Sequence, residues 1–243
     1  MIKHLILFFL LSINQTYGQE LQNGLILPEK NEDEEICCIY SPKNGFTVYD
    51  QPNGEEIGRL IRNVDQNVND QSFYQIYFVD LKTKKETKIG LEHFQEIAYE
   101  IWAITYSEKR NGFVKIRYSN QDLWLKQSEI ESVGFALVEW QSFLTDNVDN
   151  LLGYYANDLG LNLREKPKTA SRIIRTLKGD TNQISPTNEH NGLWTKVKVI
   201  ISKEHPCGTD LTEEENIIEE VEGWIKIVDD NGLPNLWYYS RGC

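Results

Sequence analysis

Apolar and polar residues alternate with a period of two through much of this chain, as they do in strands that bury one face. Phe46 with Val48 and Leu161 with Leu163 are the clearest examples. Asn-Gly pairs, which favour tight hairpin turns, separate such runs at Asn53-Gly54, Asn111-Gly112, Asn191-Gly192 and Asn231-Gly232. The pattern therefore predicts an all-β protein built from short strands.

The same pattern predicts the positions of the remaining elements. Further strands are expected at Phe73–Val79, Glu100–Tyr106, Phe113–Tyr118, Leu123–Leu125, Trp194–Ile201, Trp224–Val228 and Leu236–Tyr239. Short helices are expected at Leu91–Glu96, at Trp140–Leu144 and near Thr212. Thr212 and Glu215 have the spacing of a capping box, in which side chains of the first turn bond reciprocally to backbone amides. A solvated acidic loop is the alternative for that last segment.

One stretch of the chain occurs twice. Residues 45–52 and 160–167 share Gly, an alternating apolar pair and Pro at the same offsets. A short apolar run follows in each copy, at 57–60 and 174–177, and each copy later reaches an Asn-Gly turn and a Lys-containing strand. A repeated run of short strands is typical of tandem binding domains.

The second copy resembles the bacterial SH3-like (Src-homology-3) domain. The matching residues are Gly160-Leu161-Asn162-Leu163-Arg164, Pro167, Leu177-Lys178-Gly179, Asn191-Gly192 with Trp194 and Lys196-Val197, and Gly223-Trp224. The first copy departs from the pattern, because Tyr49 and Asp50 replace the Arg-Glu pair and Leu123 stands where Gly precedes Trp. The resemblance implies a small, bent barrel of about five strands that binds cell-wall peptidoglycan or peptides without catalysis.

These observations predict two small SH3-like β-barrels joined by a short, partly helical connector. The expected organisation is a signal peptide (1–18), a flexible lead-in (19–35), a first barrel with a long insertion at 61–99 (36–130), a packed connector (131–153), and a second barrel with an insertion at 200–222 (154–243).

Residues 1–18 have the layout of a secretory signal, with Lys3, an apolar core at Leu5–Leu11 and small residues before the cleavage point. The apolar run is too short to span a bilayer, so no integral membrane span is expected after cleavage. The protein is therefore expected in the periplasm, at the cell surface or outside the cell. A formal net charge of −12 argues against nucleic acid and against simple attraction to anionic lipid.

The four cysteines are Cys37, Cys38, Cys207 and Cys243. An even number in an oxidising compartment favours disulfides, and we expect Cys207 to pair with Cys243. Cys37 and Cys38 are neighbours on opposite sides of a strand, which disfavours a bond between them and leaves either buried free thiols or a longer-range partner.

Catalytic and cofactor-binding motifs are missing from the sequence. A cysteine hydrolase needs a thiolate activated by a close His, and His205 with Cys207 is the one arrangement that approaches this. The same two residues are an incomplete zinc set, because zinc takes about four ligands. We therefore expect no enzyme, no cofactor and no metal.

Aromatic residues are the remaining candidates for ligand contact. Most of the six Trp are expected to fill the cores, whereas one member of each adjacent aromatic pair should be exposed. The candidate binding residues are Tyr49, Tyr155, Trp237, Tyr239 and Arg164. The predicted function is non-enzymatic binding of peptide or peptidoglycan-like ligands. The alternatives are a structural or assembly role with an envelope protein partner and a cysteine hydrolase.

Overall fold

The computed structural model describes residues 23–29, 38–42, 44–64, 74–90, 93–98, 101–118, 121–146, 154–229 and 234–238. Within these ranges three short helices occur, α1 (Gln127–Ser132), α2 (Trp140–Asp146) and α3 (Glu213–Asn216). Strands make up most of the rest; in chain order they are β1 (Gly24–Pro28), β2 (Cys38–Ile39), β3 (Phe46–Tyr49), β4 (Glu56–Val64), β5 (Tyr74–Asp80), β6 (Glu86–Lys88), β7 (Phe94–Ala98), β8 (Ile101–Tyr106), β9 (Glu108–Arg110), β10 (Phe113–Tyr118), β11 (Gln121–Lys126), β12 (Phe135–Glu139), β13 (Tyr154–Arg164), β14 (Ile173–Asn191), β15 (Trp194–Ser202), β16 (Ile217–Lys226) and β17 (Leu236–Tyr238). The predicted all-β class is confirmed.

The strands form three sheets. The first sheet has the order β6-β5-β4-β3-β11-β10-β9, and the middle sheet has the order β12-β1-β8-β2 with β7 also paired to β8. The third sheet has the order β14-β15-β16-β13-β17. Neighbouring strands are antiparallel, except that β2 runs parallel to β8. No described helix is both long enough and apolar enough to cross a membrane.

The middle sheet is buried on both faces. Successive side chains of a strand point to opposite faces, and β1 divides its residues accordingly: Leu25 packs in a core with the third sheet, whereas Ile26 packs in a core with the first sheet. On β8, Ala103 and Ile104 divide in the same way. The middle sheet therefore holds the other two sheets together through two hydrophobic cores.

Strand β1 lies within the segment that was predicted to be a flexible lead-in. It pairs with β12 over its whole length and with β8 over Gly24–Ile26. Leu25 and Ile26 are both fully buried. Residues 24–28 are therefore a core strand, because the apolar run Leu25–Leu27 can bury both faces between two sheets even though its flanks are polar.

The segment predicted as a packed connector contributes both a strand and a helix. The predicted helix at Trp140–Leu144 is confirmed as α2, and Trp140, Phe143 and Leu144 are buried in the core shared with the third sheet. Before it, β12 extends the middle sheet by pairing with β1. A helix was also expected at Leu91–Glu96, but Phe94–Ala98 is the strand β7, since pairing with β8 and burial of Phe94 outweigh local helix propensity.

The pairing of the third sheet runs in a ring. Strand β13 pairs with β14 and with β16, and β15 bridges β14 and β16. The ends of the predicted insertion at 200–222 continue β15 to Ser202 and start β16 at Ile217, so the excursion is confined to 203–216. The capping box predicted there is confirmed: the Thr212 side chain accepts from the Glu215 amide, and the Glu215 carboxylate accepts from the Thr212 amide.

Candidate functional site

Tyr49 and Arg164 occupy corresponding positions in the two repeats. In the first repeat Phe46 pairs with Leu60, and the register shifts between Val48 and Tyr49. In the second repeat Leu161 pairs with Leu177, and the register shifts between Leu163 and Arg164. After the shift, Tyr49 faces Trp124 on β11 and Arg164 faces Trp224 on β16.

The correspondence extends to the next strand pair. Lys115 on β10 faces Trp124, and Lys196 on β15 faces Trp224. One position away on each pair, Ile116 faces Leu123 and Val197 faces Gly223. The two repeats therefore share one scheme of strand pairing, although their sequences agree at few positions.

Tyr49 is tied into the first repeat by its hydroxyl. The hydroxyl donates to the Glu129 carboxylate of α1 at 2.7 Å, and the ring lies edge-on to Phe113 with 5.3 Å between the centroids. Burial, followed by the bond to Glu129, raises the pKa of the phenol to about 12. The hydroxyl is thus committed to holding α1 on β3, and only the remaining ring surface could meet a ligand.

Arg164 is tied into the hairpin that joins β13 to β14. Its Nη1 donates to the Ser171 carbonyl oxygen at 2.8 Å. The carboxylate of the adjacent Glu165 accepts from Arg172, at 3.4 Å. Arg164 thus orders the hairpin, and its position opposite Trp224 places it at the junction of β13 and β16.

Tyr155 on β13 and Trp237 on β17 are register partners in the pairing of these two strands. Tyr239 lies outside the described residues. Tyr155 is on the same strand as Arg164 but near its opposite end, whereas Tyr49 belongs to the first sheet. The candidate residues therefore divide into one aromatic pair and two separate repeat positions.

Each repeat also holds a lysine between two carboxylates, which sequence reasoning did not identify. Lys115 Nζ lies 2.6 Å from Glu108 and 3.7 Å from Asp122. Lys196 Nζ lies 2.8 Å from Glu189 and 3.5 Å from Glu222. The bond to Glu189 is the main cause of a raised pKa at Lys196. The sequence signal for these two sites is a lysine that recurs in both repeats, together with an acidic residue directly before Leu123 and Gly223.

In the first repeat, the Lys–carboxylate site also packs beside a tryptophan. Trp124 is buried, and Arg110 Cζ lies 4.8 Å and Lys115 Nζ 5.7 Å from its ring centroid. Cations over an indole face stabilise the ring electrostatically. The charges of Arg110 and Lys115 therefore lie against the Trp124 ring, where β10 pairs with β11.

His205 and Cys207 lie together at a 3₁₀ turn over Pro206–Gly208. The His205 Nδ1 atom accepts from the Cys207 backbone amide at 3.1 Å and caps this turn. Cys243, the predicted partner of Cys207, lies outside the described residues, so their pairing stays a prediction. In the part of the chain that the structure describes, no group of three or more His, Cys, Asp or Glu residues could hold a metal ion.

Comparison with known proteins does not show which family this chain belongs to. No protein-family model matches this chain, and no curated protein matches it. A solved structure, that of NlpC2 from Trichomonas vaginalis, is similar at 11% identity over 82% of this chain and 50% of that chain. This chain thus spans half the length of that protein, and the TM-score of 0.20 is too low to carry an argument.

Proposed function

We propose that this protein is an exported, non-enzymatic binding protein that recognises peptide or peptidoglycan-like ligands through two SH3-like barrels. The observation that carries the proposal is the shared pairing scheme of the repeats. In both, the strand segment that follows the repeat glycine shifts register before Tyr49 or Arg164, and that residue then pairs with a tryptophan, Trp124 on β11 or Trp224 on β16.

The ring of pairing among β13, β14, β15 and β16 supports a small barrel for the second repeat. Small closed barrels without sheet edges are frequent scaffolds for binding, because their loops vary while the strands stay fixed. In the first repeat, β4 corresponds to the beginning of the long strand β14. After β4 the chain continues into the inserted strands β5 to β7. We therefore assign the main ligand contacts to the second barrel.

The Tyr155–Trp237 pair is the proposed contact region on that barrel, together with Tyr239. Aromatic rings on a shallow surface stack on sugars or grip extended peptides. Arg164 contributes a positive charge at the other end of the same strand, where an extended ligand that follows β13 would reach it. This combination suits a ligand that presents both apolar or sugar faces and carboxylates.

The absence of catalysis is part of the proposal and is supported by the geometry at His205. The imidazole of a cysteine hydrolase must reach the thiol as a base. Here the Nδ1 atom of His205 accepts a hydrogen bond from the Cys207 backbone amide and caps a turn. A turn-capping role explains the spacing of His205 and Cys207 without a nucleophile.

The proposal is tested by co-sedimentation of the mature protein with purified insoluble peptidoglycan. We expect the native protein to sediment with the polymer and a Trp237→Ala/Tyr239→Ala variant to lose most of this binding. Leu81→Ala is the matched control, because Leu81 is an exposed apolar residue of the first sheet's β5–β6 turn. Equal binding by all three proteins would contradict the assignment to the second barrel.

A further inference from the structure

The hairpin between β13 and β14 concentrates positive charge on an acidic protein. Residues 164–178 contain six basic residues and the single acidic residue Glu165, a formal charge of +5, whereas the whole chain carries −12. The basic residues are Arg164, Lys166, Lys168, Arg172, Arg175 and Lys178. Charges farther away than about 8 Å are largely screened at physiological ionic strength, so an approaching ligand experiences the local charge.

Most of these charges face solvent. Lys166, Lys168, Arg172, Arg175 and Lys178 are exposed. Two of them already bind carboxylates of this chain, Arg172 with Glu165 and Arg175 with Glu219. Among the described residues, the ammonium groups of Lys166, Lys168 and Lys178 have no ion-pair partner within 4.0 Å. The hairpin therefore combines arginines in carboxylate pairs with lysines that are available for further carboxylates.

The loop that presents the lysines is held by the buried Ser171. Its hydroxyl accepts from the Lys166 amide at 3.0 Å, its amide donates to the Lys168 carbonyl oxygen at 3.0 Å, and its carbonyl oxygen accepts from Arg164. The Glu165 amide donates to the Arg172 carbonyl oxygen across the loop. A loop ordered before binding loses less conformational entropy when a ligand arrives.

We propose that this hairpin, residues 164–178, docks an acidic polypeptide segment rich in Asp and Glu. This inference rests on the proposed function and names the chemistry of its peptide ligand. The ion pairs of Arg172 with Glu165 and of Arg175 with Glu219 show that carboxylates can bind to the hairpin. An extended acidic segment presents several carboxylates, spaced as the side chains of a strand are. Ile173, 45% exposed between Arg172 and Ile174, provides an apolar contact for such a segment.

The neighbouring strand favours a narrow ligand over a flat anionic membrane. The Arg175–Glu219 pair brings β16 beside the hairpin, and the Glu219 carboxylate lies against it. A lipid surface that meets the hairpin would also approach this carboxylate and be repelled by it. A single polypeptide can follow the hairpin without covering β16.

The test measures binding of a labelled Glu-rich peptide, with its Glu→Gln counterpart, to the full mature chain by fluorescence anisotropy. The variant Lys166→Gln/Lys168→Gln/Lys178→Gln removes three hairpin charges. The matched control Lys82→Gln/Lys85→Gln/Lys88→Gln removes three charges from the exposed β5–β6 hairpin of the first sheet. We expect salt-sensitive binding of the Glu-rich peptide that is about tenfold weaker in the hairpin variant, since each exposed ion pair contributes little alone, and unchanged in the control.

Equal losses in the two variants, or equal binding of the Gln peptide, would overturn the inference, because either result means non-specific attraction. Stronger binding to phosphatidylglycerol vesicles than to the peptide would overturn it in favour of a membrane. If the peptide results overturn the inference but the native protein still sediments with peptidoglycan, the acidic ligand is rejected and the proposed function is retained. If the native protein binds neither the Glu-rich peptide nor peptidoglycan, both the acidic ligand and the proposed function are rejected.

Discussion

Gly45 and Gly160 begin the two repeats in a left-handed backbone conformation, with φ of +69° and +88°. Residues with a Cβ rarely adopt this region, so glycine is favoured at both positions. At Gly45 a Cβ would also overlap the Leu60 carbonyl oxygen on the paired strand β4. The glycine that first marked the sequence repeat thus has a structural role at the start of each repeat.

The first prediction concerns Gly45→Ala, with Gly134→Ala as its control. Gly134 also has a positive φ, of +79°, but a Cβ there has nothing within 4 Å. We expect Gly134→Ala to lower the free energy of unfolding by about 1 kcal/mol through backbone strain alone. Gly45→Ala should cost about 1–3 kcal/mol more, because the overlap with Leu60 forces β3 and β4 apart. Urea denaturation measures both, and equal losses would contradict the close approach at Gly45.

The second prediction concerns alkaline pH and Tyr49. The pKa of its phenol is about 12 in the folded protein, against an ordinary value of 10.0. Below pH 10 this group adds no pH dependence; between pH 10 and about 12 the unfolded phenol ionises first, so the folded state loses stability. Tyr49→Phe should therefore show a smaller decline in the free energy of unfolding across that range than the native protein. Parallel declines in urea titrations would show that Tyr49 contributes nothing.

At the scale of elements, the β13–β14 hairpin depends on one buried hydroxyl. Ser171 is 8% exposed and accepts the Lys166 amide. We predict that Ser171→Ala lowers the free energy of unfolding by about 1 kcal/mol, the usual contribution of one hydrogen bond. Ser132→Ala is the control, because the exposed Ser132 hydroxyl only donates to the Glu129 carbonyl oxygen within α1. Thermal denaturation compares them, and a loss at Ser132 equal to that at Ser171 would contradict the role of the hairpin hydroxyl.

Strands were predictable where alternation and turn signals agreed. The strands at Phe113–Tyr118 and Trp194–Ile201 follow Asn-Gly turns and coincide with β10 and β15 to within one residue at each end. Predictions were wrong where long-range pairing decides the structure. Strand β7 was expected as a helix, and β1 as part of a flexible segment, because only pairing with β8 and β12 makes them strands.

The candidate site was partly predictable for a similar reason. Motif spacing singled out Arg164 and Tyr49, and the register places them at corresponding positions. Each lysine–carboxylate site joins residues from three strands, so a comparison of the two repeats could indicate it but no pattern within one segment could. The net charge of the chain does not indicate the basic hairpin, because the excess of acidic residues elsewhere conceals its local charge of +5.

For the whole molecule, the middle sheet connects the two repeats mechanically. Leu25 and Ile26 are consecutive, fully buried, and members of different cores. A strand that serves two cores cannot leave one without disturbing the other. The repeats are therefore expected to unfold together.

This coupling gives the fourth prediction. Leu25→Ala and Ile26→Ala should each lower the free energy of unfolding by about 2–5 kcal/mol, the usual cost of truncating a buried aliphatic side chain. Leu81→Ala, at an exposed position, should change it by less than about 0.5 kcal/mol. Urea unfolding followed by tryptophan fluorescence should show one transition that moves in both core variants. Two transitions, with only one displaced by each substitution, would contradict the coupling.

The most direct test of the central proposal, that the protein binds wall polymer or peptide without catalysis, is a saturation co-sedimentation experiment with purified insoluble peptidoglycan. We expect saturable sedimentation of the native mature protein, competition by soluble peptidoglycan fragments, and recovery of those fragments uncleaved. No sedimentation of the native protein at low or high salt would contradict recognition of the wall polymer. Cleaved fragments would contradict the proposed lack of enzymatic activity.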